Sequence, residues 1–331
     1  MKKVTVAIPT YNDEKYINEA IDSILNQTFK DFLLLIIDDG SNDSTYKIIS
    51  KYRDTRIHII KNDKNLGRGL CRNIALNCTD SEYLAWMDGD DISHPQRLEK
   101  QVVFMDENPD ISISGTGMIL LGQKNITTKP ITKPSIISAL TIFKPAIANA
   151  TAIMRLNDIK SNKLQYDSEL LRAEDFAFWA QSFLDKELQG NNIIYPLYYY
   201  RVFNRINNEK WHRRVIDKYI GPILKIKYTE KELNIHNFFS FYSDKNIFQF
   251  YELSDVFLLI KKLQVSSNLF SSKVKYDILS IIDNLIWNMI CRSEDKLKCL
   301  KKCKEYEIID RKKWNYFFIR LYAKNIKDFF I

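Results

Sequence analysis

Short apolar runs alternate with amphipathic stretches over the first ninety residues of the chain. Residues 4–8 predict a first strand, and the apolar positions of residues 17–25 fall on one face of a helix. Residues 32–37 form a continuous apolar run, which is typical of a strand buried on both faces of a parallel sheet. Residues 57–60 and 83–87 continue this rhythm. The pattern predicts an α/β fold with a doubly wound, mostly parallel sheet.

The pattern changes along the chain and divides it into two parts. Beyond residue 110 it is mixed, because residues 111–121 and 193–202 look extended whereas residues 134–143 look helical. After about residue 210, apolar residues recur at helical spacing and the strand signals fade. We therefore expect a first domain of residues 1–207 and a mainly helical region of residues 208–331.

Composition indicates a globular protein with a sizeable core. The chain has 331 residues, of which 45% are hydrophobic and 27% charged, and both fractions are ordinary for a globular domain. Its five cysteines are an odd number without metal-ligand spacing, which favours reduced thiols in the cytosol. The short apolar run at the start is no export signal, and no uncharged apolar stretch approaches the roughly 20 residues of a spanning helix. We expect a cytoplasmic protein.

The positive charge of the chain lies in its C-terminal part. The formal net charge is +8, and residues 206–331 carry 24 Lys and Arg against 15 Asp and Glu. Residues 296–331 mix many of these Lys and Arg with Trp, Tyr and Phe. Such a segment binds the anionic surface of a membrane, or it packs on the protein with a solvated basic face. Both interpretations stay open, and so does a basic, aromatic module that binds membrane or nucleic acid.

An acidic turn follows the strand predicted at residues 83–87. Asp88-Gly89-Asp90-Asp91 places three carboxylates in four positions, where they repel one another unless a cation lies between them. Ligands of open α/β sheets bind beyond the carboxyl ends of the strands, which is where this turn would lie. A plain acidic cap on the following helix explains the turn equally well.

A second acidic turn favours a ligand over a cap. Asp38 and Asp39 end the strand at residues 32–37, so both turns would open on the same edge of the sheet. A nucleoside diphosphate needs hydrogen-bonding groups for its base and ribose and a divalent cation for its diphosphate. Residues 10–13 lack the glycines of a dinucleotide-binding loop. They equally lack the glycine-rich basic loop of an enzyme that transfers nucleotides to sugar phosphates.

Five segments, taken in order, resemble the family two glycosyltransferases, which are inverting enzymes with the A-type nucleotide-sugar fold. They are residues 7–12, 20–28, 37–44, 65–73 and 87–91. The resemblance is strong over residues 1–100, weaker to about residue 205 and absent beyond.

The resemblance implies roles for residues on the donor side. Contacts to the nucleotide-sugar would come from Pro9, Thr10, Tyr11, Asp38, Asp39, Arg68, Arg72, Asp88 and Gly89. Asp39 is the first candidate for the base, and Arg68 or Arg72 would reach the nucleotide or its phosphates. Asp90, with Asp88, would ligate Mn²⁺ or Mg²⁺. Asp88 would also lie near the ribose, and Asp91 would cap the next helix.

Glu174 and Asp175 resemble the acidic pair of the same family. Inversion needs a base that takes the proton from the attacking acceptor hydroxyl, and Asp175 is the candidate. Glu174, Trp179 and Asn149 would lie on the acceptor side. Taken alone, Glu174 and Asp175 could simply start a helix, since negative charge is favourable there.

These observations together predict an inverting glycosyltransferase. It would move a hexose or N-acetylhexosamine from a UDP-sugar to a hydroxyl of a cell-surface glycan or glycolipid of lipopolysaccharide, lipooligosaccharide or capsule type. We expect no nucleic-acid partner, and a peripheral contact of residues 296–331 with the inner face of the cytoplasmic membrane. A nucleotidyltransferase and a binding module are the alternatives. Residues 149–155 and 200–204 depart from the family's pattern, so the resemblance leaves the sugar and the acceptor open.

Overall fold

A computed structural model describes residues 2–122, 126–203, 208–241, 247–310, 312–313 and 315–317. The chain divides into two compact units. The first comprises Met1–Thr141 and Pro145–Trp211, and the second comprises Ile142–Lys144 and His212–Ile331. The short segment 142–144 thus belongs with residues far from it in sequence, a feature that the hydrophobic pattern does not reveal.

The first part of the chain alternates strands and helices. Its strands are β1 (Val4–Thr10), β2 (Phe32–Asp38), β3 (Ile57–Lys61), β4 (Tyr83–Trp86), β5 (Ile92–Ser93), β6 (Ile111–Leu121), β7 (Ile126–Thr127), β8 (Ile153–Arg155) and β9 (Gln189–Arg201). Its helices are α1 (Ile17–Leu25), α2 (Thr45–Ile49), α3 (Arg68–Cys78), α4 (Arg97–Glu107), α5 (Pro134–Thr141), α6 (Leu156–Ser161) and α7 (Glu174–Ala180). A 3₁₀ turn covers Asn149–Thr151, and a π-helical turn, Gln181–Asp185, extends α7.

The described chain after residue 208 is helical. Its helices are α8 (Glu209–Val215), α9 (Gly221–Leu224), α10 (Glu230–Phe241), α11 (Leu253–Ser266), α12 (Ser272–Arg292) and α13 (Lys296–Glu305). A π-helical turn at Ile216–Ile220 joins α8 to α9, and 3₁₀ turns cover Ile247–Gln249 and Ser267–Leu269. Within the residues described, no helix is both long and apolar enough to span a membrane.

The strands form one mixed sheet in the order β3-β2-β1-β4-β8-β6-β9-β5, with β7 paired to β6. The pairs β1·β2, β1·β4 and β2·β3 are parallel, so the carboxyl ends of β1, β2 and β4 meet at one edge. Beyond β4, the strand β8 runs antiparallel to both of its neighbours. The predicted α/β class, followed by a helical C-terminal region, is confirmed.

Alternating side chains of the central strands build a core on each face of the sheet. In β1, Val4, Val6 and Ile8 are buried in one apolar cluster, whereas Ala7 belongs to a second cluster. Ile17–Leu25 packs its apolar face into the first cluster and Arg68–Cys78 into the second. Because neighbouring side chains point to opposite faces of a strand, an uninterrupted apolar run requires this double cover.

A buried histidine joins segment 142–144 to α10 within the second unit. The Nδ1 of His236 lies 2.8 Å from the Tyr228 hydroxyl, and its Nε2 lies 3.0 Å from the carbonyl oxygen of Ile142. The carbonyl can only accept, so Nε2 carries the proton and Nδ1 accepts from Tyr228. The Ser240 hydroxyl donates to the carbonyl of Phe143. Burial lowers the pKa of His236 to about 4.

The second unit should lose stability in mild acid because of His236. In the unfolded chain a histidine titrates near its ordinary pKa, so the unfolded state binds more protons between pH 6.5 and 4. This contribution is complete above pH 6.5 and is lost as the pH falls, by about 2 kcal/mol between pH 7 and 5. Urea unfolding of the wild-type protein and of His236→Gln at both pH values measures it. The difference in unfolding free energy between the two proteins should become smaller as the pH falls. An unchanged difference would show that His236 does not cause the loss of stability.

Candidate active site

The loops that follow β1 and β2 are tied together by side chains. Asn12 is the centre of the contact, because its N–H donates to Ser41 Oγ and its Oδ1 accepts from the Asn42 N–H, both at 3.0 Å. Glu14 adds two more bonds, to Asp43 and to the Ser44 N–H. Asn12 has a φ of +59°, a conformation in which Asn is enriched. Tyr11, at the tip, is 42% exposed. These hydrogen bonds fix the two loops relative to each other.

The two carboxylates that end β2 have different surroundings. The carboxylate of Asp39 accepts bonds from Asn62 Nδ2 and from the N–H groups of Leu66 and Gly67, all within 2.9 Å. Asp39, the first candidate for the base, therefore holds the loop that leads into α3. Asp38 is fully buried, and neither of its oxygens has a hydrogen-bond partner in the described part of the chain. Of the two residues, Asp38 is therefore the one whose carboxylate oxygens can still accept hydrogen bonds.

The acidic turn after β4 forms a compact carboxylate cluster. One oxygen each of Asp88, Asp90 and Asp91 lie within 4.8 Å of one another. Burial and the charges of Asp88 and Asp13 raise the pKa of Asp90 to about 7. The crowding that the sequence predicted is therefore present at the carboxyl edge of the sheet.

Asp13 joins this cluster from the β1 loop, and the sequence analysis did not identify it. Its Oδ2 accepts from the Thr10 hydroxyl at 2.7 Å, and burial raises its pKa. A Cβ on Gly89 would lie only 2.6 Å from this oxygen, so a larger residue there would displace the Asp13 carboxylate from its present position. The available signal was an acidic residue just beyond the first strand, at the same sheet edge as the other two acidic turns.

Asp91 does not cap the next helix. That helix, α4, begins only at Arg97, whereas Asp91 is buried and its Oδ1 accepts from the Arg201 N–H at 2.7 Å. The cap prediction is therefore wrong, because β9 supplies a donor that fixes the turn from the other side. The second oxygen, Oδ2, is buried without a hydrogen-bond partner among the residues described. Burial and the charges of Asp88 and Asp90 raise the pKa of Asp91 to about 8.

A fully buried arginine supports the turn through an aromatic ring. Arg97 donates to the Trp86 carbonyl at 2.7 Å and to Gln101 Oε1 at 3.0 Å, and its guanidinium lies over the ring of Tyr198. The Tyr198 hydroxyl in turn accepts from the Asp88 N–H at 3.1 Å. Burial lowers the pKa of Arg97 to about 10, although the charges of Asp88 and Asp91 favour the cation. The sequence signal for it was an Arg and a Gln four positions apart on the face of α4 that carries Leu98, Val102 and Met105.

Arg72 and Glu174 form a buried ion pair. The Nη1 of Arg72 lies 2.5 Å from Glu174 Oε1, and both side chains are almost completely buried. The Nη2 of Arg72 also lies 3.9 Å from Asp88 Oδ1, and Arg68, which is half-exposed, places its Nε 3.2 Å from the same Glu174 oxygen. Glu174 is thus committed to two arginines rather than presented to an acceptor.

Arg72 is enclosed by neutral side chains as well. The rings of Trp86 and Tyr166 lie 5.9 and 5.4 Å from its guanidinium. The amide of Asn149 lies 3.0 Å from the Tyr166 hydroxyl and, with its oxygen turned to Arg72, accepts from the guanidinium at 3.1 and 3.2 Å. Asn149, predicted on the acceptor side, is therefore part of the arginine's surroundings.

Trp179 also lies away from any surface that an acceptor could reach. It is fully buried on α7 and stacks on Phe183 with the ring centroids 5.6 Å apart. Its prediction as an acceptor-side residue came from the position of the aromatic segment after Glu174 and Asp175. The aromatic face of α7 points into the protein, so Trp179 packs in the core.

Asp175 is the half-buried member of the acidic pair. It stands in the first turn of α7 after Ala173, whose φ of +59° places the backbone in a left-handed conformation. Its Oδ1 accepts from the Phe176 N–H at 2.8 Å. Burial favours the neutral form of Arg72, but nearby negative charges raise the pKa of this arginine. Glu174, Asp88 and Asp175 are among the groups that supply this charge. Arg72 therefore lies within electrostatic range of both the acidic turn and Asp175.

Tyr200, on β9, is a further side chain near the cluster that was given no role from sequence. It is partly exposed, and burial together with the charges of Asp88, Asp91 and Asp90 raises its pKa to about 12. The neighbouring Arg201 binds Glu19 at 2.6 Å. β9 thus contributes Tyr198, Tyr200 and the Arg201 N–H to the surroundings of the acidic turn. These residues reach the turn because β9 pairs with strands that are distant in sequence.

Comparisons with known proteins show the family to which the chain belongs. The profile described as "Glycosyl transferase family 2" matches residues 5–159. An uncharacterized glycosyltransferase of Methanocaldococcus jannaschii is 36% identical over 211 residues, covering 62% of this chain and 72% of the relative. The chain belongs to glycosyl transferase family 2.

The name of a second relative of this glycosyltransferase states its donor and its acceptor. WfaP of Escherichia coli, a UDP-Glc:α-D-GlcNAc-diphosphoundecaprenol β-1,3-glucosyltransferase, is 31% identical over 202 residues, covering 61% of this chain and 78% of the relative. Among solved structures, Staphylococcus aureus TarS 1–349 in complex with UDP-GlcNAc superposes with a TM-score of 0.61. It shares 22% identity and covers 89% of this chain and 88% of its own, which shows a shared fold. The predicted family and A-type fold are confirmed, and glycosyl transfer is favoured over the two alternatives.

Removing Glu174 should destabilise the glycosyltransferase far more than removing Asp175. Glu174→Ala leaves the charge of Arg72 buried without its partner, which costs about 3–5 kcal/mol of unfolding free energy. Arg72→Met combined with Glu174→Leu removes both charges and should cost less. Asp175→Asn, at a half-buried site, should stay within about 0.5 kcal/mol of the wild type. Urea unfolding measures all three, and a Glu174→Ala protein as stable as the wild type would show that this carboxylate does not hold Arg72.

Proposed function

We propose that this glycosyltransferase moves a hexose or N-acetylhexosamine from a UDP-sugar to a hydroxyl of a cell-surface glycan or glycolipid, with inversion. The observation that carries the proposal is the carboxylate cluster of Asp88, Asp90 and Asp91 beside Arg72, which is also close enough to Asp175 to respond to its charge. The UDP-glucose donor of WfaP and the UDP-GlcNAc bound to TarS support a uridine nucleotide here. The diphosphoundecaprenol-linked acceptor of WfaP supports an acceptor of lipopolysaccharide, lipooligosaccharide or capsule type.

The donor's nucleoside would bind at the carboxyl ends of β1 and β2. Pro9 and Thr10 end β1, and the exposed Tyr11 offers a ring against which a base can stack. Asp38 has two oxygens without partners in the described structure, so it can accept from the base or the ribose. Asp39 then positions the loop ahead of α3, and half-exposed Arg68, on the first turn of that helix, is better placed than buried Arg72 to reach phosphate.

The acidic cluster fits Mn²⁺ or Mg²⁺. Its donors are carboxylate oxygens, which both ions prefer, and the Asp91 Oδ2 is buried with no partner in the described chain. Asp90 and Asp88 would hold the ion, with Asp91 beside them. When bound, such an ion offsets negative charge on the donor's diphosphate. The carboxylates of the cluster repel one another, and a bound cation would reduce this repulsion.

Asp175 would act as the base. As the acceptor hydroxyl oxygen attacks the anomeric carbon, its proton passes to the Asp175 carboxylate, and the bond from that carbon to the diphosphate breaks. Attack from the face opposite the leaving diphosphate inverts the configuration. Glu174 is unsuited to this role because its carboxylate is buried between two arginines, whereas Asp175 is partly exposed.

The rest of the chain completes the proposal. Residues 1–207 would bind the nucleotide-sugar and catalyse the transfer, and the helical region of residues 208–331 would associate with a membrane or a partner. The enzyme would work in the cytoplasm, on the inner face of the cytoplasmic membrane, with no nucleic-acid partner.

A binding screen tests the donor and the cation together. UDP-glucose, UDP-GlcNAc, GDP-mannose and dTDP-glucose are titrated calorimetrically with Mn²⁺, with Mg²⁺ and with EDTA. We expect the UDP-sugars to bind tightest, with affinity falling at least about tenfold in EDTA because the ion offsets diphosphate charge. Asp90→Asn should bind equally weakly under all three conditions. Preference for a GDP- or dTDP-sugar would overturn the uridine assignment, and affinity unaffected by EDTA would remove the cation.

Asp175→Asn should abolish transfer without weakening donor binding. The amide cannot accept the proton, so kcat should fall at least about 100-fold. The donor dissociation constant should be unchanged, and Asp110→Asn, which makes the same change at an exposed aspartate, should be fully active. Transfer is measured as UDP release with a purified glycan acceptor. Full activity of Asp175→Asn would disprove its role as the base.

A further inference from the structure

The second unit has a basic pocket formed by α11 and the segment that follows α9. The pocket has a volume of about 300 Å³ and is lined by Lys225, Ile226, Lys227, Lys261, Lys262 and Val265. Four of its six lining residues are lysines, which repel one another unless anions are near. The residues of this pocket, together with Leu258, are called the α11 surface below.

Carboxylates neutralise only part of this charge. Lys262 lies 2.5 Å from Glu232, which is buried and also caps the start of α10 by accepting from the Thr229 N–H. Lys261 lies 2.9 Å from Glu307. Lys225 and Lys227 are exposed, and their side chains have no hydrogen bond or ion pair within the described residues. Two positive charges of the α11 surface therefore remain without a protein anion.

Apolar side chains on the α11 surface face solvent beside these lysines. Val265 is 64% exposed and Leu258 is 54% exposed, and both lie on the outer side of a helix whose other side is buried. Lys261 stands between them, three residues after one and four before the other, so the three share one helix face. Exposed aliphatic side chains next to unpaired lysines suit a partner that offers negative charge and an apolar interior together.

We propose that the α11 surface docks on an anionic phospholipid membrane, with lipid phosphates beside Lys225 and Lys227 and with Leu258 and Val265 in the interface. Both parts of the surface then have a partner, because phosphates satisfy the lysines and acyl chains satisfy the aliphatic groups. A soluble phosphate would satisfy the lysines alone. The proposal is independent of the sugar that the enzyme transfers.

This surface differs from the one predicted at residues 296–331. In the described part of that segment, Cys299, Leu300 and Cys303 are buried on α13, and Phe317 is buried against Trp287. These buried groups pack within the second unit, whereas Leu297, Tyr306 and Tyr316 of the same segment are exposed. Residues 311, 314 and 318–331, which hold Trp314, Phe318, Tyr322, Phe329 and Phe330, lie outside the described residues.

Vesicle sedimentation of the full-length protein tests the proposal. One set of vesicles contains equal parts of phosphatidylglycerol and phosphatidylcholine, and the other contains phosphatidylcholine alone. Each basic residue near an anionic surface contributes about fivefold to the partition coefficient, so Lys225→Gln with Lys227→Gln should lower it by at least about tenfold on the anionic vesicles. Lys273→Gln with Lys275→Gln makes the same charge change on α12, outside the pocket, and should leave binding unchanged.

Measurements at two salt concentrations, with a second variant, distinguish the contribution of the lysines to vesicle binding from that of the aliphatic residues. Leu258→Gln with Val265→Gln should weaken binding at low and at high salt, whereas the lysine variant should differ from the wild type only at low salt. With a UDP-sugar donor and a soluble acceptor, all variants should transfer sugar at the wild-type rate, measured as UDP release. Vesicle binding that the lysine variant retains in full would overturn the proposal. So would complete competition by inorganic pyrophosphate at matched ionic strength, which would indicate a site for a soluble anion.

Discussion

Mutual repulsion among carboxylates at one edge of the sheet is the constraint on which this site depends. Asp13, Asp88, Asp90 and Asp91 meet there because β1 and β4 are parallel neighbours, and their loops open on the same side. Two buried arginines stand next to this negative charge. Arg72 lies 3.9 Å from Asp88, and Arg97 reaches the same turn through the ring and hydroxyl of Tyr198. These two cations partly offset the repulsion.

The same charges explain why Glu174 is internal and Asp175 is not. A buried guanidinium needs an anion, and Glu174 supplies it at 2.5 Å, so the first turn of α7 is anchored at that residue. Asp175 follows directly and stays partly exposed. One ion pair therefore joins the first turn of α7 to α3, with Asn149 and Tyr166 completing the surroundings of Arg72. In the proposed reaction, Arg72 and Glu174 would hold α3 and α7 in place and would not contact the reacting groups.

The second unit shows a different use of charge. Its formal positive excess is large, and at the α11 surface part of it is neutralised by Glu232 and Glu307. What remains lies beside exposed aliphatic residues. An enzyme that extends a lipid-linked acceptor gains from residence at the membrane, because its substrate is confined there. The proposed docking surface gives the membrane association in the proposed function a specific place in the second unit.

The sequence by itself determined the order of the first four strands, the α/β class, the acidic turns and the family. Those features are local: an apolar run of period two or 3.6, or a motif of adjacent residues, is visible without knowing what it will touch. Only the tertiary structure decided which polar groups are free. Asp39 and Glu174 look like ligand contacts in the sequence but are committed to N–H groups and arginines that arrive from distant segments.

Asp91 looks like a helix cap but is held by a strand more than a hundred residues away, and Asp13 enters the cluster through a glycine that leaves room for it. Trp179 looks like part of a binding face and lies in the core. Hydrogen-bond partners and burial depend on contacts between residues far apart in the chain. A linear pattern can therefore place a carboxylate at the site, but only the fold decides whether its oxygens remain available.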